Sequence, residues 1–330
     1  MGTKRAMKDK QNTRKGMRVL VTGGAGFIGS NIVKLLLEES YRVSILDNFS
    51  TGYLENLTDF TEVTVINGDI RDEAAVATAI EGVAAIIHLA ASVGNARSLN
   101  DPVLDSDVNI LGTLKILEAA RKASITKVIY SSSAAIYGEP QYLPVDEGHP
   151  LRPETPYGVS KLGGEGQCLA YGRLYSMDTI CLRYFNVYGP NQHYDAYGNV
   201  IPIFADQLLQ RKPITILGSG EQTRDFVNVR DVARANLFAL NVNGVTRAFN
   251  IGSGQATTIQ DLASEMSSFF EISIPIRHHS PRAGDVQHSL SDITAAREIL
   301  GYEPTVPLTD GLNEYLTLAR PRNTQQRHEG

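Results

Sequence analysis

A glycine-rich turn between the first predicted strand and the first predicted helix constrains the fold of this chain more than any other feature. Residues 23–29 read GGAGFIG and directly follow the apolar run at 18–22, so they satisfy both GxGxxG and GxxGxxG. A backbone without side chains can approach a pyrophosphate, and a helix N-terminus favours its negative charge. The turn therefore predicts a dinucleotide site, with a tight turn for close helix packing as the alternative.

Short β-rich runs alternate with helical stretches from residue 17 onwards. Strands are predicted at 18–22, 42–46, 62–66, 85–89, 127–131 and 179–184, and helices at 27–39, 73–81, 107–121 and 156–175. Such alternation is typical of βαβ units, whose right-handed crossovers place helices on both faces of a parallel sheet. We expect an α/β fold with a Rossmann-type doubly wound parallel sheet.

The pattern becomes less regular after residue 186, where shorter elements are predicted, including helices at 201–210, 229–240, 259–269 and 293–300. We interpret 17–186 as the NAD-binding domain. Residues 187–330 are mainly a smaller C-terminal α/β lobe for the substrate, with segments near 225–255 packing back on the first domain. Residues 1–16 contain six basic residues without apolar periodicity, which predicts a disordered basic tail.

Composition excludes several function classes. The net charge of −5 lacks the basic excess of a nucleic-acid-binding protein, and the longest apolar runs, such as 83–91, are too short to span a bilayer. Cys168 and Cys181 have no metal-ligand spacing, which favours reduced thiols in the core. We therefore expect a soluble, cytoplasmic protein with no metal site and no nucleic-acid or membrane partner.

Tyr157, Lys161 and Ser133 form a candidate catalytic group. Tyr157 and Lys161 share one helical face, and Ser133 follows the fifth predicted strand. A Tyr pKa is about 10, so an ionised phenol at neutral pH requires roughly 4 kcal/mol of stabilisation. Lys161, an oxidised nicotinamide and the positive first turn that Pro156 marks are the expected sources. The phenolate would remove a proton from a substrate hydroxyl while hydride leaves the same carbon, with Ser133 on the reacting oxygen.

Asp47 ends the second predicted strand, 18 residues after Gly29, where a carboxylate can accept bonds from the adenosine ribose hydroxyls. A 2′-phosphate would meet like charge there, so Asp47 favours NAD over NADP. Asp69 and Ile70 follow the third strand and would flank the adenine. A role for Asp69 as the cap of the next helix is the alternative.

An ordered set of motifs resembles the extended short-chain dehydrogenase/reductase family and, within it, the nucleotide-sugar epimerases. The resemblance covers about 17–320. The motifs are VTGGAGFIGS from Val21, DNFSTG from Asp47, GDI from Gly68, HLAA from His88, SSSAAIYGE from Ser131, PYGVSK from Pro156 and LRYFNVYGP from Leu182.

The resemblance implies the residues of the cofactor site. Leu89, Ala90 and Ala91 would line the cofactor after the fourth strand, although Leu89 and Ala90 also suit simple core packing, as does Phe185. Asn109 would fix the helix beneath the cofactor. The implied set is Gly23, Gly26, Phe27, Ile28, Gly29, Asp47, Asn48, Ser50, Thr51, Gly52, Asp69, Ile70, Leu89, Ala90, Ala91, Asn109, Ser131, Tyr157, Lys161, Tyr184 and Phe185.

The resemblance also implies a UDP-sugar substrate held by the smaller lobe. Arg224 and Arg282 would neutralise the diphosphate, and Asp285 would meet the ribose. The alternatives are Arg224 as a partner of Asp225 or Asp231 and Asp285 as a turn residue. The implied substrate set is Ser133, Tyr157, Asn186, Asn199, Val200, Ile216, Arg224, Phe226, Arg282, Asp285 and Ser289.

Ala134 and Ala135 indicate the reaction, because sugar dehydratases and decarboxylases of the family carry acidic residues there for a second proton. Alanine moves no proton, so the resemblance implies 4-epimerisation: oxidation at C4, rotation of the 4-keto sugar and hydride return, with NAD regenerated. The small Ser289 would leave room for an N-acetylated hexose, with a hydroxyl that makes no contact to the sugar as the alternative.

Three alternatives to this function stay open. A UDP-glucuronate 4-epimerase would need a cation near the sugar carboxylate, for which Arg97 and His193 are candidates. A dinucleotide-sensing protein without catalysis and a steroid-type dehydrogenase are the others. The resemblance further implies a homodimer joined through the helices at 107–121 and 156–175, although those faces could be core.

Overall fold

The structure, a computed structural model, describes residues 16–194, 199–270, 274–280 and 286–325. The tail predicted at 1–16 lies outside these residues except for Gly16. Within the described ranges, no helix combines the length and the apolar character that crossing a membrane requires.

Thirteen strands and ten α-helices form the described part of the chain. The strands are β1 (Arg18–Thr22), β2 (Arg42–Asp47), β3 (Val63–Asn67), β4 (Ala85–His88), β5 (Lys127–Ser133), β6 (Asp178–Tyr184), β7 (Asn186–Tyr188), β8 (Ile214–Leu217), β9 (Thr223–Arg224), β10 (Phe226–Asn228), β11 (Arg247–Ile251), β12 (Thr257–Thr258) and β13 (Ile276–His279). The helices are α1 (Phe27–Glu38), α2 (Glu73–Ala79), α3 (Asn95–Asn100), α4 (Pro102–Ser106), α5 (Thr113–Lys122), α6 (Pro156–Tyr175), α7 (Val200–Leu209), α8 (Val229–Asn241), α9 (Ile259–Ser268) and α10 (Leu308–Gln325). Two π-helical turns (Asp107–Gly112 and Ala296–Leu300) and two 3₁₀ turns (Leu54–Leu57 and Ala134–Ile136) complete the set.

The central sheet has seven parallel strands in the order β11-β6-β5-β4-β1-β2-β3. Its inner strands are buried along most of their length, as parallel strands covered on both faces require. The strand order reverses between β1 and β4, and the crevice at this switch point is where such sheets bind dinucleotides. The expected α/β class and doubly wound parallel sheet are confirmed.

Two apolar layers cover the sheet. On one face, Ile32 and Leu36 of α1 pack with Val232 of α8. On the other face, Ile116 of α5 and Cys168 of α6 pack with α2. Because α8 and β11 come late in the chain, the segment from 226 to 251 returns to the first half of the molecule after β7.

A third apolar cluster forms the core of the smaller lobe. β8 pairs in parallel with β13, and α7, α9 and α10 surround the pair. Phe204, Leu262 and Leu316 are fully buried members of this cluster, one from each helix. The lobe is tied to the remainder of the chain by the parallel pair β7–β10 and by the short antiparallel pair β9–β12.

The predicted elements match the observed ones closely in the first half of the chain. All six predicted strands are present within two residues at each end, and the helix predicted at 156–175 is α6. The helix predicted at 107–121 begins as a π-helical turn before it becomes α5. The sequence patterns missed α10 and the seventh sheet strand, β11.

A buried ion pair joins α6 to β6 behind the switch point. The guanidinium Nη2 of Arg183 lies 2.5 Å from Oε1 of Glu165, and both side chains are almost fully buried. Ser132 donates to the other carboxylate oxygen at 2.6 Å, and Arg183 also donates to the Tyr137 hydroxyl at 2.7 Å. The pair is therefore well supplied with hydrogen bonds, which a buried pair needs to offset its desolvation.

Removing one partner of this pair should destabilise the protein strongly. We expect Arg183→Met to lower the free energy of unfolding by about 3–5 kcal/mol, because the Glu165 carboxylate would remain buried and uncompensated. The matched control, Arg297→Met, breaks the exposed pair between Arg297 and Glu303 and should cost less than about 1 kcal/mol. Denaturant unfolding measures both, and equal losses would contradict the assignment.

Candidate active site

The turn after β1 is held by two close backbone approaches. Gly23 has φ +70°, and a Cβ there would lie 2.8 Å from the backbone nitrogen of Ala90. A Cβ at Gly29 would lie 2.1 Å from the carbonyl oxygen of Gly23. Gly26 is the N-cap of α1, and no side chain caps this helix. The N–H groups at Phe27 and Ile28 therefore open the helix as an anion site.

Asp47 places a carboxylate beside this turn. Its Oδ2 accepts from the backbone N–H of Ala25 and its Oδ1 from that of Phe49, both at 2.9 Å. Burial raises the pKa of Asp47, while the two backbone bonds oppose that rise. Each carboxylate oxygen has a second lone pair for a ribose hydroxyl. Of the other predicted residues here, Asn48, Ser50 and Thr51 are exposed and Gly52 is partly buried.

Asp69 lies next to this loop but does not cap a helix. Its carboxylate accepts from the Arg71 guanidinium at 2.8 and 2.9 Å and from Nδ2 of Asn48 at 2.9 Å. These bonds, led by Arg71, hold the pKa of Asp69 well below its usual range. Asp72 caps α2 instead, so the alternative assignment of Asp69 as the cap is wrong. Ile70 is buried beside Gly112.

The segment after β4 forms the other wall of the crevice. Leu89, Ala90 and Ala91 are partly buried there, and the backbone N–H groups of Leu89 and Ala90 donate to Oγ1 of Thr22. Asn109, in the π-helical turn, forms two hydrogen bonds to the backbone of Ser92, the residue that follows Ala91. Its Nδ2 donates to the Ser92 carbonyl at 2.9 Å, and its Oδ1 accepts from the Ser92 N–H at 2.8 Å. Asn109 therefore shapes this wall through the backbone.

Ser133, Tyr157 and Lys161 come together where β5 ends and α6 begins. The Tyr157 phenol is hydrogen-bonded to the Ser133 side chain. Pro156 occupies the first turn of α6, and Tyr157 directly follows it. Lys161 is 3% exposed, and its Nζ lies 4.6 Å from the ring centroid of Tyr130. The three groups share one wall, close to the end of β4.

Burial dominates the protonation of this group. It raises the pKa of Tyr157 to about 12 and lowers the pKa of Lys161 to about 8. At neutral pH the protein alone therefore holds a neutral phenol beside an ammonium. In the protein alone, burial outweighs the opposing effect of Ser133, and ionisation of the phenol by Lys161, the first turn of α6 and an oxidised nicotinamide together stays a prediction. A further positive charge at the site has to supply the difference.

These features fit NAD. The uncapped first turn of α1 suits a pyrophosphate, Asp47 suits a ribose diol, and the wall carrying Tyr157 lies across the switch point from both. An oxidised nicotinamide carries a positive charge, which would favour the phenolate form of Tyr157. In the described part of the chain, no group of three or more His, Cys, Asp or Glu residues has the arrangement of a metal site.

Tyr184 and Phe185, at the end of β6, are largely buried. The Tyr184 hydroxyl accepts from Nδ2 of Asn236 at 2.8 Å and is also bonded to the Ser131 side chain. Phe185 packs in a small cluster with Ile136, as the core-packing alternative describes. Neither side chain shows an open polar group toward the crevice.

Several predicted substrate residues surround the junction of the two lobes. The backbone N–H of Asn186 donates to the carbonyl of Asp225 at 3.0 Å, and its side-chain amide approaches the same oxygen. Asn199, at the N-cap of α7, is exposed and donates to the Val187 carbonyl at 3.2 Å. The backbone N–H of Ser289 donates to the Thr223 carbonyl at 3.2 Å, next to Arg224.

The alternative partners of Arg224 are engaged elsewhere. Asp225 is fully buried and accepts from Ser253 and Ser291, and Asp231 pairs with Arg234 at 2.5 Å. Arg224 itself donates from Nη1 to the Thr223 carbonyl at 2.8 Å.

The remaining predicted substrate residues differ in exposure. Phe226 and Ile216 are buried in the core of the smaller lobe, whereas Val200 is partly exposed. Ile216 would therefore act through its strand backbone. Arg282 and Asp285 lie outside the described residues.

Sequence reasoning missed two buried titratable residues at this site. Asp105 is fully buried beneath the start of α6, whereas Asp101 and Asp107, which flank it in sequence, reach the surface. His88 joins Thr22 and Thr113 through its two ring nitrogens at 2.7 and 3.0 Å, and burial lowers the pKa of His88 to about 3. The motif HLAA contains His88, but no pattern marks Asp105.

The chain is similar to nucleotide-sugar epimerases over nearly its whole length. A putative UDP-glucose 4-epimerase from Methanocaldococcus jannaschii is 43% identical over 307 residues, which cover 92% of this chain and 99% of the relative. The UDP-glucose 4-epimerase of Thermotoga maritima, solved with UDP-glucose, is 38% identical with a TM-score of 0.88, covering 94% of this chain and 100% of that one. The UDP-N-acetylglucosamine 4-epimerase of Methanobrevibacter ruminantium, solved with UDP-N-acetylmuramic acid, is 34% identical with a TM-score of 0.90, covering 93% and 99%.

Residues 19–252 match the family described as the NAD dependent epimerase/dehydratase family. The match spans all of the central sheet except the first residue of β1, and it includes the wall that carries Ser133, Tyr157 and Lys161. The resemblance that the sequence motifs indicated is confirmed. The chain belongs to the NAD dependent epimerase/dehydratase family.

Proposed function

We propose that this protein catalyses the NAD-dependent 4-epimerisation of a UDP-hexose, with UDP-glucose and UDP-galactose as the first candidates. The observation that carries the proposal is the Tyr157 phenol, bonded to Ser133 and one helical turn from Lys161 at the wall of a dinucleotide crevice. The names of the relatives support the same reaction.

Tyr157 is the general base in this reaction. When bound, NAD supplies the oxidant for one sugar carbon and returns the same electrons later. Tyr157 takes the proton of the C4 hydroxyl and gives it back after the sugar has turned. Ser133 donates to the C4 oxygen as the carbonyl forms, and Lys161 holds positive charge behind the phenol.

The turn after Ser133 limits the chemistry to one carbon. Ala134 and Ala135 begin the 3₁₀ turn that follows β5, and Ser133 caps it by accepting from the Ala135 N–H at 3.1 Å. Neither alanine can exchange a proton with a second sugar carbon. Oxidation and re-reduction at C4 are therefore favoured over dehydration or decarboxylation.

The UDP moiety is assigned to the smaller lobe. We assign Arg224 and Arg282 to the diphosphate, because the guanidinium forms paired bonds to phosphate oxygens. Asn186 and Asn199 offer amides on the same side. The 4-keto sugar can rotate only if the diphosphate is bound firmly and the hexose is bound loosely. The small side chain of Ser289 leaves N-acetylated UDP-hexosamines as substrates too.

A neutral hexose is favoured over a uronate by the position of His193. Its ring lies 4.0 Å from the ring of Tyr53, centroid to centroid, and Tyr53 follows the ribose-side loop that begins at Asp47. The imidazole is thus on the adenosine side of the crevice, away from Tyr157. Arg97 is exposed on α3. UDP-glucuronate is therefore a control substrate in the assay below.

We further propose that the protein is a homodimer joined through α6 and the segment that precedes α5. Five large apolar side chains, here called the apolar row, are exposed on these elements, and exposed apolar surface marks protein interfaces. The row consists of Leu99, Val103, Leu111, Val159 and Leu174, with exposed fractions of 64, 78, 51, 53 and 72%. A second copy of the same face covers the row with the same apolar chemistry.

We assign the enzyme to the cytoplasm. Cys168 and Cys181 are buried free thiols, which suit a reducing compartment. UDP-sugars are small polar substrates that such an enzyme meets in solution.

Loss of the Tyr157 hydroxyl should abolish epimerisation without loss of binding. We expect Tyr157→Phe to lower kcat for conversion of UDP-galactose to UDP-glucose by roughly 10²- to 10⁴-fold, because the general base is missing. Tyr171→Phe is the matched control: it lies on the same helix, bonded to Glu118, and should keep the parental kcat. A parent that binds NAD and UDP but converts no UDP-hexose would contradict the proposal, and conversion of UDP-glucuronate alone would support the uronate alternative instead.

NAD should change the ionisation of Tyr157. Without NAD, the phenolate absorbance that Tyr157 contributes, taken as the difference between parent and Tyr157→Phe, should be absent at pH 10, where an unburied phenol is half ionised. Saturating NAD⁺ should move this ionisation to lower pH, because a positive nicotinamide stabilises the phenolate. An ionisation that NAD⁺ leaves in place would separate Tyr157 from the cofactor.

A charge in the apolar row should produce monomers. We expect Val103→Arg to convert a dimeric parent to a single chain in sedimentation equilibrium, because each copy would have to bury a guanidinium group among apolar side chains of the interface. Leu318→Arg, which alters an exposed leucine of α10 outside the row, should leave the dimer intact. A monomeric parent, or a Val103→Arg variant that still dimerises, would rule out this interface.

A further inference from the structure

Asp105 is a buried carboxylate that the reaction described above does not use. It lies in α4 and is fully buried. Its Oδ2 accepts from the Ser160 hydroxyl at 2.5 Å, its Oδ1 accepts from Nδ2 of Asn109 at 3.2 Å, and the Ser92 side chain is a further partner. Burial raises the pKa of Asp105, and these three neutral donors oppose that rise by stabilising the carboxylate.

Ser160 connects this carboxylate to the catalytic turn of α6. Its Oγ lies 2.5 Å from Asp105 and 3.0 Å from the carbonyl oxygen of Tyr157. A hydroxyl has one proton, and the shorter contact assigns it to the carboxylate. Asn109 donates to the same Oγ at 2.9 Å, which leaves the proton free to point at Asp105. Through Ser160, which lies between Tyr157 and Lys161 in the sequence, Asp105 thereby holds the start of α6 in place.

The other groups around Lys161 leave Asp105 with a distinct electrostatic role. Glu165 also acts on Lys161, but its charge is matched by Arg183 at 2.5 Å. Burial and the positive charge of Lys161 both lower the pKa of His88, so this histidine stays neutral. The remaining groups that act on Tyr157 or Lys161 are Tyr130 and Ser133 from β5, Cys168 from α6 and Cys181 from β6. Asp105 acts on both Tyr157 and Lys161.

We propose that Asp105 is a positioning residue, which fixes the first turn of α6 through Ser160 and places one negative charge that acts on both Lys161 and Tyr157. This inference rests on the proposed function for its meaning in catalysis. The negative charge favours the ammonium of Lys161 and disfavours the phenolate of Tyr157. The pair is therefore held as ammonium and neutral phenol until a second positive charge arrives beside Tyr157, which couples formation of the base to an occupied, oxidised site.

The sign of the effect gives a specific test. A negative neighbour raises the pKa of an acid and of an amine alike, so removing it lowers both. In the NAD-loaded protein, Asp105→Asn should shift the acidic limb of kcat/KM, set by Tyr157, and the alkaline limb, set by Lys161, to lower pH together. The expected shift is roughly 0.5–1 pH unit for each limb.

The midpoints of two titrations that do not depend on turnover should shift in the same direction as the two limbs of the pH profile. The phenolate absorbance of Tyr157, taken as the difference between Asp105→Asn and Asp105→Asn with Tyr157→Phe, reports the phenol. The pH dependence of Lys161 acylation by an amine-specific reagent, read by peptide mass spectrometry, reports the ammonium. Both midpoints should fall in Asp105→Asn. An inactive parent would sink the proposed function, while these midpoints would still decide the role of Asp105.

Matched variants separate charge from architecture. Asp231→Asn removes another buried carboxylate, which lies in α8 and is bonded to Arg234 and Thr305. This variant should lower stability without moving either midpoint. Ser160→Ala keeps the charge but loses the link to α6, so it should lower kcat with smaller shifts of the limbs. If Asp105→Asn does not fold, Asp105→Ser removes the same charge and leaves room for a water. Unmoved midpoints, or movement of only one, in whichever variant folds would overturn the proposal.

Discussion

The close approach of α6 to the central sheet is the contact on which the candidate site depends. A Cβ at Gly164 would lie 2.3 Å from the Tyr130 hydroxyl, and one at Gly158 would lie 2.6 Å from the carbonyl oxygen of Ala135. Because these positions carry no side chain, the helix lies directly against the end of β5. Lys161 is thereby drawn into the interior, and its ammonium lies over the ring of Tyr130 instead of in solvent.

The burial of ionisable groups costs desolvation free energy, which the structure offsets in two ways. Glu165 is paired with Arg183, and the hydrogen bonds from Ser132 complete that pair. Asp105 is instead surrounded by hydroxyl and amide donors. The first arrangement neutralises charge and joins α6 to β6. The second stabilises the carboxylate by neutral donors, so its charge can act on Lys161 and Tyr157.

Much of the fold was predictable because local patterns carry it. Most of the first six strands are short apolar runs that end at glycine or polar residues, and Pro156 marks the start of α6. α10 was missed since only a narrow stripe, including Leu312 and Leu316, faces the core of the smaller lobe. β11 is five residues long, and its strand character depends on pairing with β6, which is distant in sequence.

By itself, the sequence determined the family, the order of strands and helices and the glycine turn that suits a pyrophosphate, and it named the three residues that we propose for catalysis. These follow from motifs whose members are close along the chain. The tertiary structure alone decided which aspartate is buried under α6, that Asp72 and not Asp69 caps α2, and that the free phenol of Tyr157 is protonated at neutral pH. Protonation depends on desolvation and on charges brought together from separate elements, and neither quantity can be read from the spacing of residues along a chain.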